Sequence, residues 1–155
     1  MREHVAPHRI PDRLKERPTW LLGQAAARAS SLLAAGFAEH GDGLRGYHYR
    51  LLVALEQWGP ESQADLGRDT GIDRSDVTAA LGDLEALGLV ERTVDPGHRR
   101  RKIVSITESG SATLRRLDVV LDDVQEEFLA PLSAAQREQF VEIMLLLNDQ
   151  RATGS

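Results

Sequence analysis

The stretch from Ser62 to Ile106 constrains the fold more than any other part of the chain, because it contains two helix starts separated by a tight turn. Ser62-Gln63-Ala64-Asp65 has the spacing of a capping box, in which the serine accepts a bond from a backbone amide and the acid three residues later bonds back. Asp73-Arg74-Ser75-Asp76 repeats this spacing. Between them, Thr70-Gly71-Ile72 supplies a glycine that tolerates the left-handed backbone of a sharp reversal. The pattern predicts two short helices joined by a turn.

A β-hairpin is expected after the second helix, which Gly88 ends as its C′ residue. Leu89–Val94 and Lys102–Ile106 are rich in β-prone residues, and Asp95-Pro96-Gly97-His98 between them has turn chemistry. Two helices followed by a hairpin are typical of a winged helix-turn-helix, in which the hairpin is the wing.

Positive charge is concentrated on this hairpin. Arg92–Lys102 contains five Arg or Lys residues and one Asp, a net charge of +4, whereas the whole chain has a net charge of −5. An acidic protein with a pI near 5.5 is not a general polyanion binder, but a local basic site can still steer it to DNA. The charge distribution therefore favours DNA binding at the hairpin.

The flanking segments are expected to be helical. Apolar residues recur at helical spacing from about Thr19 to Gly41, and again over Leu44–Trp58. After the hairpin, one helix has a heptad-like seam and Ser133 caps a last helix with one apolar stripe. The seam is Leu114, Leu117, Leu121, Val124 and Phe128, and the stripe is Phe140, Ile143, Met144 and Leu147. The predicted fold is mainly α with a small β-hairpin wing: a winged helix-turn-helix plus a helical dimerisation region.

The chain divides into three predicted parts. Residues 1–17 are polar and proline-containing and form an N-terminal arm. Residues 18–43 and 108–151 form the helical dimerisation region, because their apolar seams exceed what the small wing domain can cover and a second copy would bury them. Residues 44–107 form the DNA-binding domain. A length of 155 residues suits one compact unit with helical extensions.

The composition argues against several classes of protein. The chain has no cysteine, which excludes disulfides, a thiol redox sensor and a cysteine-rich zinc site. No stretch approaches the ~18 apolar residues of a membrane span, and the N-terminus lacks an apolar signal core, so a cytoplasmic protein without a membrane partner is expected. No catalytic motif is present, so neither enzymatic activity nor a cofactor is predicted.

The histidines leave a weak metal hypothesis. His4 and His8 are four residues apart, and His40 and His48 flank a glycine-rich loop. Without cysteine, a zinc or nickel ion would need histidines and carboxylates gathered from separate segments. Solvated or packed histidines are the simpler interpretation, and no metal site is predicted.

Two segments resemble the MarR family of bacterial transcription regulators. Asp95-Pro96-Gly97-His98-Arg99-Arg100, followed by Val104–Gly110, is similar to the family's wing, which usually reads Asp-Pro-x-Asp-Arg-Arg before a strand and Leu-Thr-x-x-Gly. Leu84–Arg92 is similar to the family's stretch into the wing, and the order of elements resembles the family over nearly the whole chain. His98 departs from the pattern, because the family commonly has an acid there. Only Asp95 is then left to orient the wing arginines, and a pH-dependent tip is one consequence.

The resemblance implies a homodimer whose recognition helices enter successive major grooves of a pseudo-palindromic operator, with the wings in the flanking minor grooves. Half-sites one helical turn apart lie ~34 Å centre to centre, a spacing that dimerisation through terminal helices can hold. Such regulators are most often repressors, so we expect a repressor that binds double-stranded DNA sequence-specifically. The alternative is a winged-helix protein-protein interaction module, which would have no need of the basic cluster Arg99–Lys102.

The second helix holds the predicted base-contacting residues. Arg74 and Thr78 are preferred, because an arginine fork matches guanine and a threonine methyl matches the thymine methyl. Asp76 is more consistent with a cap. Ser62 and Gln63 can bond phosphate at a helix N-terminus, although capping alone explains Ser62 equally well. The predicted DNA-binding set is Ser62, Gln63, Arg74, Ser75, Asp76, Thr78, Arg99, Arg100 and Arg101; a solvated polar face is the plainer alternative.

The wing arginines are expected to alternate in direction along a strand, so they cannot all face DNA. One should brace Asp95, and the family match favours Arg99 for this brace. Arg100 or Arg101 would then enter the minor groove, where narrow A·T-rich DNA has an enhanced negative potential.

A small-molecule effector is a further hypothesis. Tyr47, His48, Tyr49 and Trp58 are predicted to line a cleft between the dimerisation helices and the winged domain, where MarR-like proteins often bind aromatic or anionic effectors. Ordinary packing of this junction is the simpler role. A ligand there would alter DNA affinity only through unequal affinity for the DNA-competent and DNA-incompetent arrangements.

Overall fold

The computed structural model describes residues 9–149, which form helices and one small antiparallel sheet. In chain order the elements are α1 (Pro18–His40), α2 (Gly46–Trp58), β1 (Glu61–Ser62), α3 (Gln63–Thr70), α4 (Arg74–Ala86), β2 (Val90–Asp95), β3 (His98–Ile106), α5 (Glu108–Leu129) and α6 (Ala134–Asn148). The predicted mainly α fold with a wing is confirmed. Of the predicted arm, residues 1–8 with His4 and His8 lie outside the described residues, and residues 11–17 form two hydrogen-bonded turns.

Both predicted capping residues start their helices. The Ser62 hydroxyl accepts from the Asp65 amide (3.1 Å) and donates to the Asp65 carboxylate (2.7 Å), so the acid bonds the hydroxyl of the cap residue. The Asp73 carboxylate accepts from the Arg74 amide at 2.8 Å. Gly71, with φ of 66°, adopts the left-handed backbone that the turn requires. Thus α3 and α4 form the predicted helix-turn-helix.

The wing hairpin of β2 and β3 has a third strand beside it that the sequence pattern did not indicate. The strand order is β1-β3-β2, with Glu61 opposite Val104 and Ser62 opposite Ile103. Because β1 is only two residues long, it shows no periodicity in the sequence. It ties the base of the wing to the start of α3, so the wing and the helix-turn-helix are joined through one sheet.

The core surrounds α2. Leu51, Leu52 and Leu55 are 1% exposed or less, and they pack with apolar residues of α3, α4 and the wing. Burying each of these leucines stabilises the fold by about 1.5–3 kcal/mol. The packing fixes α4 against the rest of the domain by its buried side, leaving its opposite side in solvent.

The seam of α5 is covered within one chain, which corrects the expectation that a second copy buries it. Leu114 and Leu117 are 1–2% exposed, because α5 packs against α1 and α2. At Gly36 of α1, an added Cβ would lie 2.6 Å from Val124, so the two helices approach closely. The heptad spacing predicted a buried seam but could not show that α1 returns alongside it.

The uncovered apolar surface lies mainly on α6. Phe140 packs against Phe128 of α5, with ring centroids 6.4 Å apart, and Met144 is half-buried, but much of the rest of α6 faces solvent. The exposed apolar residues of the helical region are Leu21, Leu22, Val119, Val141, Ile143, Leu145, Leu146 and Leu147. Across residues 9–149, no helix is both long and apolar enough to span a membrane.

Candidate nucleic-acid interface

The start of α3, the start of α4 and the wing enclose one groove of about 870 Å³. The capped N-termini of α3 and α4 both border it, and β3 forms its other wall. The N-termini of two helices and arginines from the wing therefore border the same space. Such a groove suits a polyanion rather than a neutral ligand.

The polar side of α4 is as expected. Arg74, Ser75, Asp76 and Thr78 are exposed, whereas Val77 is 1% exposed. Within residues 9–149, the Arg74 guanidinium has no bonded partner, so its donors are available. The Thr78 hydroxyl is already bonded, donating to the Arg74 carbonyl at 3.0 Å and accepting from the Gln63 amide group at 2.9 Å.

The two predicted phosphate contacts at the start of α3, Ser62 and Gln63, differ in the bonds that their side chains make. Ser62 is 4% exposed and both bonds of its hydroxyl go to Asp65, so the capping interpretation is favoured over a phosphate contact. Gln63 is half-buried, and its side chain lies between Thr78 and Arg92.

The predicted brace between Asp95 and Arg99 does not form among the described residues. Asp95 instead accepts from the Gly97 amide at 2.9 Å, because a carboxylate at the strand end reaches the amide two residues on within the turn. Arg101 pairs with Asp65 at 2.5 Å and so faces α3. Arg99 and Arg100 are exposed, and neither has a bonded partner in the described part of the chain.

A separate cavity of about 950 Å³ lies between α1, the start of α2 and α5. Tyr47 and Tyr49 line it, as predicted. His48 and Trp58 do not, which corrects the predicted cleft. At the third position of α2, the His48 ring turns back to accept from the Arg45 amide (2.9 Å), and its other nitrogen donates to Asp83 (3.0 Å). Trp58 is at the opposite end of α2, ten residues or ~15 Å further along, and is 51% exposed.

The charged side chains that line this cavity are both arginines. Arg45 and Arg50 line it and have no ion-pair partner among residues 9–149, while Phe37 and Phe128 supply aromatic walls. The Tyr49 hydroxyl donates to Asp118 at 2.8 Å, and burial together with this bond raises the pKa of Tyr49 to about 12. An aromatic anion fits such a site. Over the same residues, no group of three His, Asp or Glu side chains is placed to hold a metal ion.

Comparison with known proteins agrees with the fold. The MarR family profile matches residues 42–101, which include the helix-turn-helix and most of the wing. The transcriptional repressor NicR of Pseudomonas putida is 36% identical over 104 residues, which is 67% of this chain and 64% of NicR, just under two thirds of that protein. The chain belongs to the MarR family. The transcriptional regulator HosA of Escherichia coli is 38% identical over 64 residues, which is 41% of this chain and 47% of HosA.

Solved MarR-type structures match most of the chain. A probable transcriptional regulator from Pseudomonas aeruginosa superimposes with a TM-score of 0.74 at 32% identity, covering 87% of this chain and 99% of the other. PcaV of Streptomyces coelicolor, in complex with its natural ligand, gives a TM-score of 0.71 at 26% identity, covering 93% and 99%.

Two residues of the candidate interface were missed in the sequence: Asp65, which pairs with two arginines, and Arg92, which is fixed by Glu85. The Ser62 hydroxyl, then Arg68 and Arg101, hold the pKa of Asp65 below its usual value. Arg92, with a side chain 19% exposed, donates two bonds to Glu85 at 3.0 and 3.1 Å, which lower the pKa of Glu85 and raise that of Arg92. The count of wing charges included Arg92, but only the tertiary fold shows that it faces inward.

Proposed function

We propose that the protein is a homodimeric, sequence-specific repressor that occupies a pseudo-palindromic promoter site. The observation that supports this most directly is the shared groove, where α4 exposes Arg74 and the wing exposes Arg100. Arg74 is suited to contact base edges in the major groove, and Arg100 is suited to enter the adjacent minor groove. The NicR relative is a repressor, which favours repression over activation.

A second copy is the proposed partner of α6. Leu145, Leu146 and Leu147 are 67–70% exposed, an arrangement that is costly in water unless another surface covers it. A two-fold dimer through the terminal helices, residues 18–43 and 108–151, would present two copies of the DNA-binding domain of residues 44–107. Each α4 would then meet one half-site, ~34 Å from the other.

We also propose a small aromatic anion as effector in the cavity between α1, α2 and α5. Arg45 and Arg50 would bind its charge, and Tyr47 would contact its ring. The ligand complex of PcaV supports a ligand-responsive regulator. Titration with substituted benzoates, followed by thermal stability, tests this. The Arg50→Ala variant should lose any rise in melting temperature, whereas Arg115→Ala, on α5 and not part of the cavity lining, should keep it.

The DNA proposal is tested by selecting bound sequences from a random duplex pool and titrating the winning site at several salt concentrations. Enrichment of an inverted repeat with centres about one helical turn apart is expected. Arg74→Ala should relax the preference at one base position by about 1–3 kcal/mol. Arg100→Ala should weaken binding to all sequences and lower the log–log salt slope by about 0.9, since one phosphate is no longer neutralised.

The matched control is Arg115→Ala, which removes one arginine that pairs with Glu56 outside the groove. It should leave both the base preference and the salt slope unchanged. If the protein enriches no sequence, and Arg74→Ala and Arg100→Ala bind DNA as the unsubstituted protein does, the repressor proposal fails. The winged domain would then be a protein-docking module.

A further inference from the structure

Thr78 lies on the exposed side of α4, and its neighbours occupy most of its hydrogen-bonding capacity. A hydroxyl has one donor hydrogen and two acceptor lone pairs. In Thr78 the hydrogen goes to the Arg74 carbonyl (3.0 Å), and one lone pair accepts from the Gln63 side-chain amide (2.9 Å). What Thr78 has left for a partner is one lone pair and its methyl group.

Arg92 sets the orientation of the Gln63 amide. Arg92 Nη1 lies 3.4 Å from Gln63 Oε1, and a guanidinium has donors only. Gln63 must therefore present its oxygen to Arg92 and its NH₂ group to Thr78. The reverse orientation would place two donors against each other at Arg92.

Arg92 is itself fixed by Glu85. The two bonds of 3.0 and 3.1 Å hold the guanidinium in one plane, and its side chain is only 19% exposed. A charge-assisted fork of this kind is among the more rigid side-chain contacts. A chain of bonds thus runs from the end of α4, through β2 and the start of α3, back to the first half of α4.

A threonine in a helix has two accessible χ1 rotamers, because its hydroxyl can form a hydrogen bond to the backbone carbonyl one turn earlier. Held between the Gln63 NH₂ group and the Arg74 carbonyl, the Thr78 hydroxyl remains against the helix backbone. Without Gln63, the exposed side chain is free to turn its hydroxyl away from the helix backbone and towards solvent.

We infer that Gln63 and Arg92 are specificity-determining positioning residues, which hold the hydroxyl of Thr78 away from DNA so that Thr78 recognises thymine through its methyl group. The inference rests on the proposed function, since it requires α4 to lie in the major groove. There, guanine presents acceptors and thymine presents a methyl group. A threonine whose donor is occupied gains nothing from guanine, whereas its methyl group packs on that of thymine.

Two substitutions at Thr78 separate the methyl from the hydroxyl. Thr78→Val keeps a methyl and removes the hydroxyl, while Thr78→Ser does the opposite. Selection from the random duplex pool should give the same thymine preference for the unsubstituted protein and Thr78→Val. Thr78→Ser should reduce that preference about fourfold, which corresponds to the burial of one methyl group. Loss of the preference in Thr78→Val would overturn the inference, because the hydroxyl would then be the recognising group.

The roles of Gln63 and Arg92 are tested by double-mutant cycles. Gln63→Leu and Arg92→Lys should each weaken the thymine preference in the Thr78 protein and allow guanine at that position. In the Thr78→Val background neither should change it, because the hydroxyl through which they act is absent. Any general effect on the wing is present in both backgrounds and cancels. Arg115→Lys serves as the control for an arginine-to-lysine change.

The outcomes keep this inference apart from the repressor proposal. An inverted repeat whose base preferences shift equally in both backgrounds would assign Gln63 and Arg92 a merely structural role, overturning the inference and leaving the repressor proposal in place. No enriched sequence for the unsubstituted protein would overturn both.

Discussion

Asp65 is one of two carboxylates in a groove whose other charged side chains are mostly arginines, and it holds two of those arginines. Arg68 and Arg101 both pair with it. Asp65→Asn should therefore raise the affinity for DNA, because it removes a negative charge and frees both arginines for phosphate. The log–log salt slope should steepen by about 0.9 for each phosphate that a freed arginine neutralises. The measurement is a salt titration on the selected operator.

Asp123→Asn is the control for the Asp65 prediction, since it makes the same charge change at an exposed site on α5. It should leave the salt slope as it is. If the Asp65→Asn protein bound DNA more weakly than the unsubstituted protein, the prediction would be wrong. Asp65 would then contribute to DNA binding by orienting Arg101.

Tyr49 should titrate at unusually high pH. Burial and the bond to Asp118 favour its neutral form and raise its pKa to about 12, against an ordinary value near 10. The resulting contribution to stability is present below pH ~10 and is lost as the pH rises towards 12. Because the chain has two tyrosines, ultraviolet titration of a Tyr47→Phe protein reports Tyr49 alone. Adding Asp118→Asn should move the midpoint down, and a midpoint near 10 in the folded Tyr47→Phe protein would contradict the prediction.

At the scale of elements, the start of α5 depends on a close contact with the wing. A Cβ added to Gly110 would lie 2.1 Å from the Leu89 carbonyl oxygen, a backbone atom that has little freedom to move. Gly110→Ala should lower the free energy of unfolding by about 1–3 kcal/mol, the usual cost of overpacking. Denaturant unfolding measures this difference.

Gly82 offers the opposite case for comparison. It lies inside α4, and a Cβ there would meet nothing within 4 Å. Gly82→Ala should raise the free energy of unfolding by about 0.5–1 kcal/mol, because alanine has the better helix propensity. If both substitutions changed stability alike, the contact between α5 and Leu89 would not be the cause of the Gly110 effect.

Local patterns predicted the elements well because each depends on neighbours in the chain. Ser62, Asp73 and Ser133 start their helices through contacts within three residues. Long-range partners were missed for the converse reason. Arg101 bonds Asp65 across 36 residues, a choice that depends on how β3 crosses α3 and not on spacing within the wing. For the same reason, sequence placed His48 in the cavity, whereas its partner Asp83 is 35 residues away.

At the scale of the whole molecule, the proposed dimer depends on the exposed apolar surface of the terminal helices. Since α1 and α2 cover the seam of α5, the apolar area left for a second copy is narrower than the sequence indicated. It includes Val141 and Leu145, which together with charged neighbours border a shallow hollow on α6. A stable dimer usually buries at least about 1,200 Å² in total, so we expect the proposed dimer to use the exposed Leu21 and Leu22 of α1 as well as α6.

The dimer proposal predicts that charge on α6 separates the two copies. Leu145→Glu combined with Leu146→Glu should give a monomer in sedimentation, because two carboxylates cannot be buried unpaired in an apolar interface. The proposed DNA-binding domain does not include α6, so the monomer should still bind a single half-site, but with the weaker affinity of one α4. Leu87→Glu, at a site 58% exposed at the end of α4, introduces the same kind of charge outside the terminal helices and should remain dimeric. If the double variant still sedimented as a dimer, the interface would lie elsewhere on the molecule. The spacing of the two α4 helices on the operator would then be set by a surface other than α6.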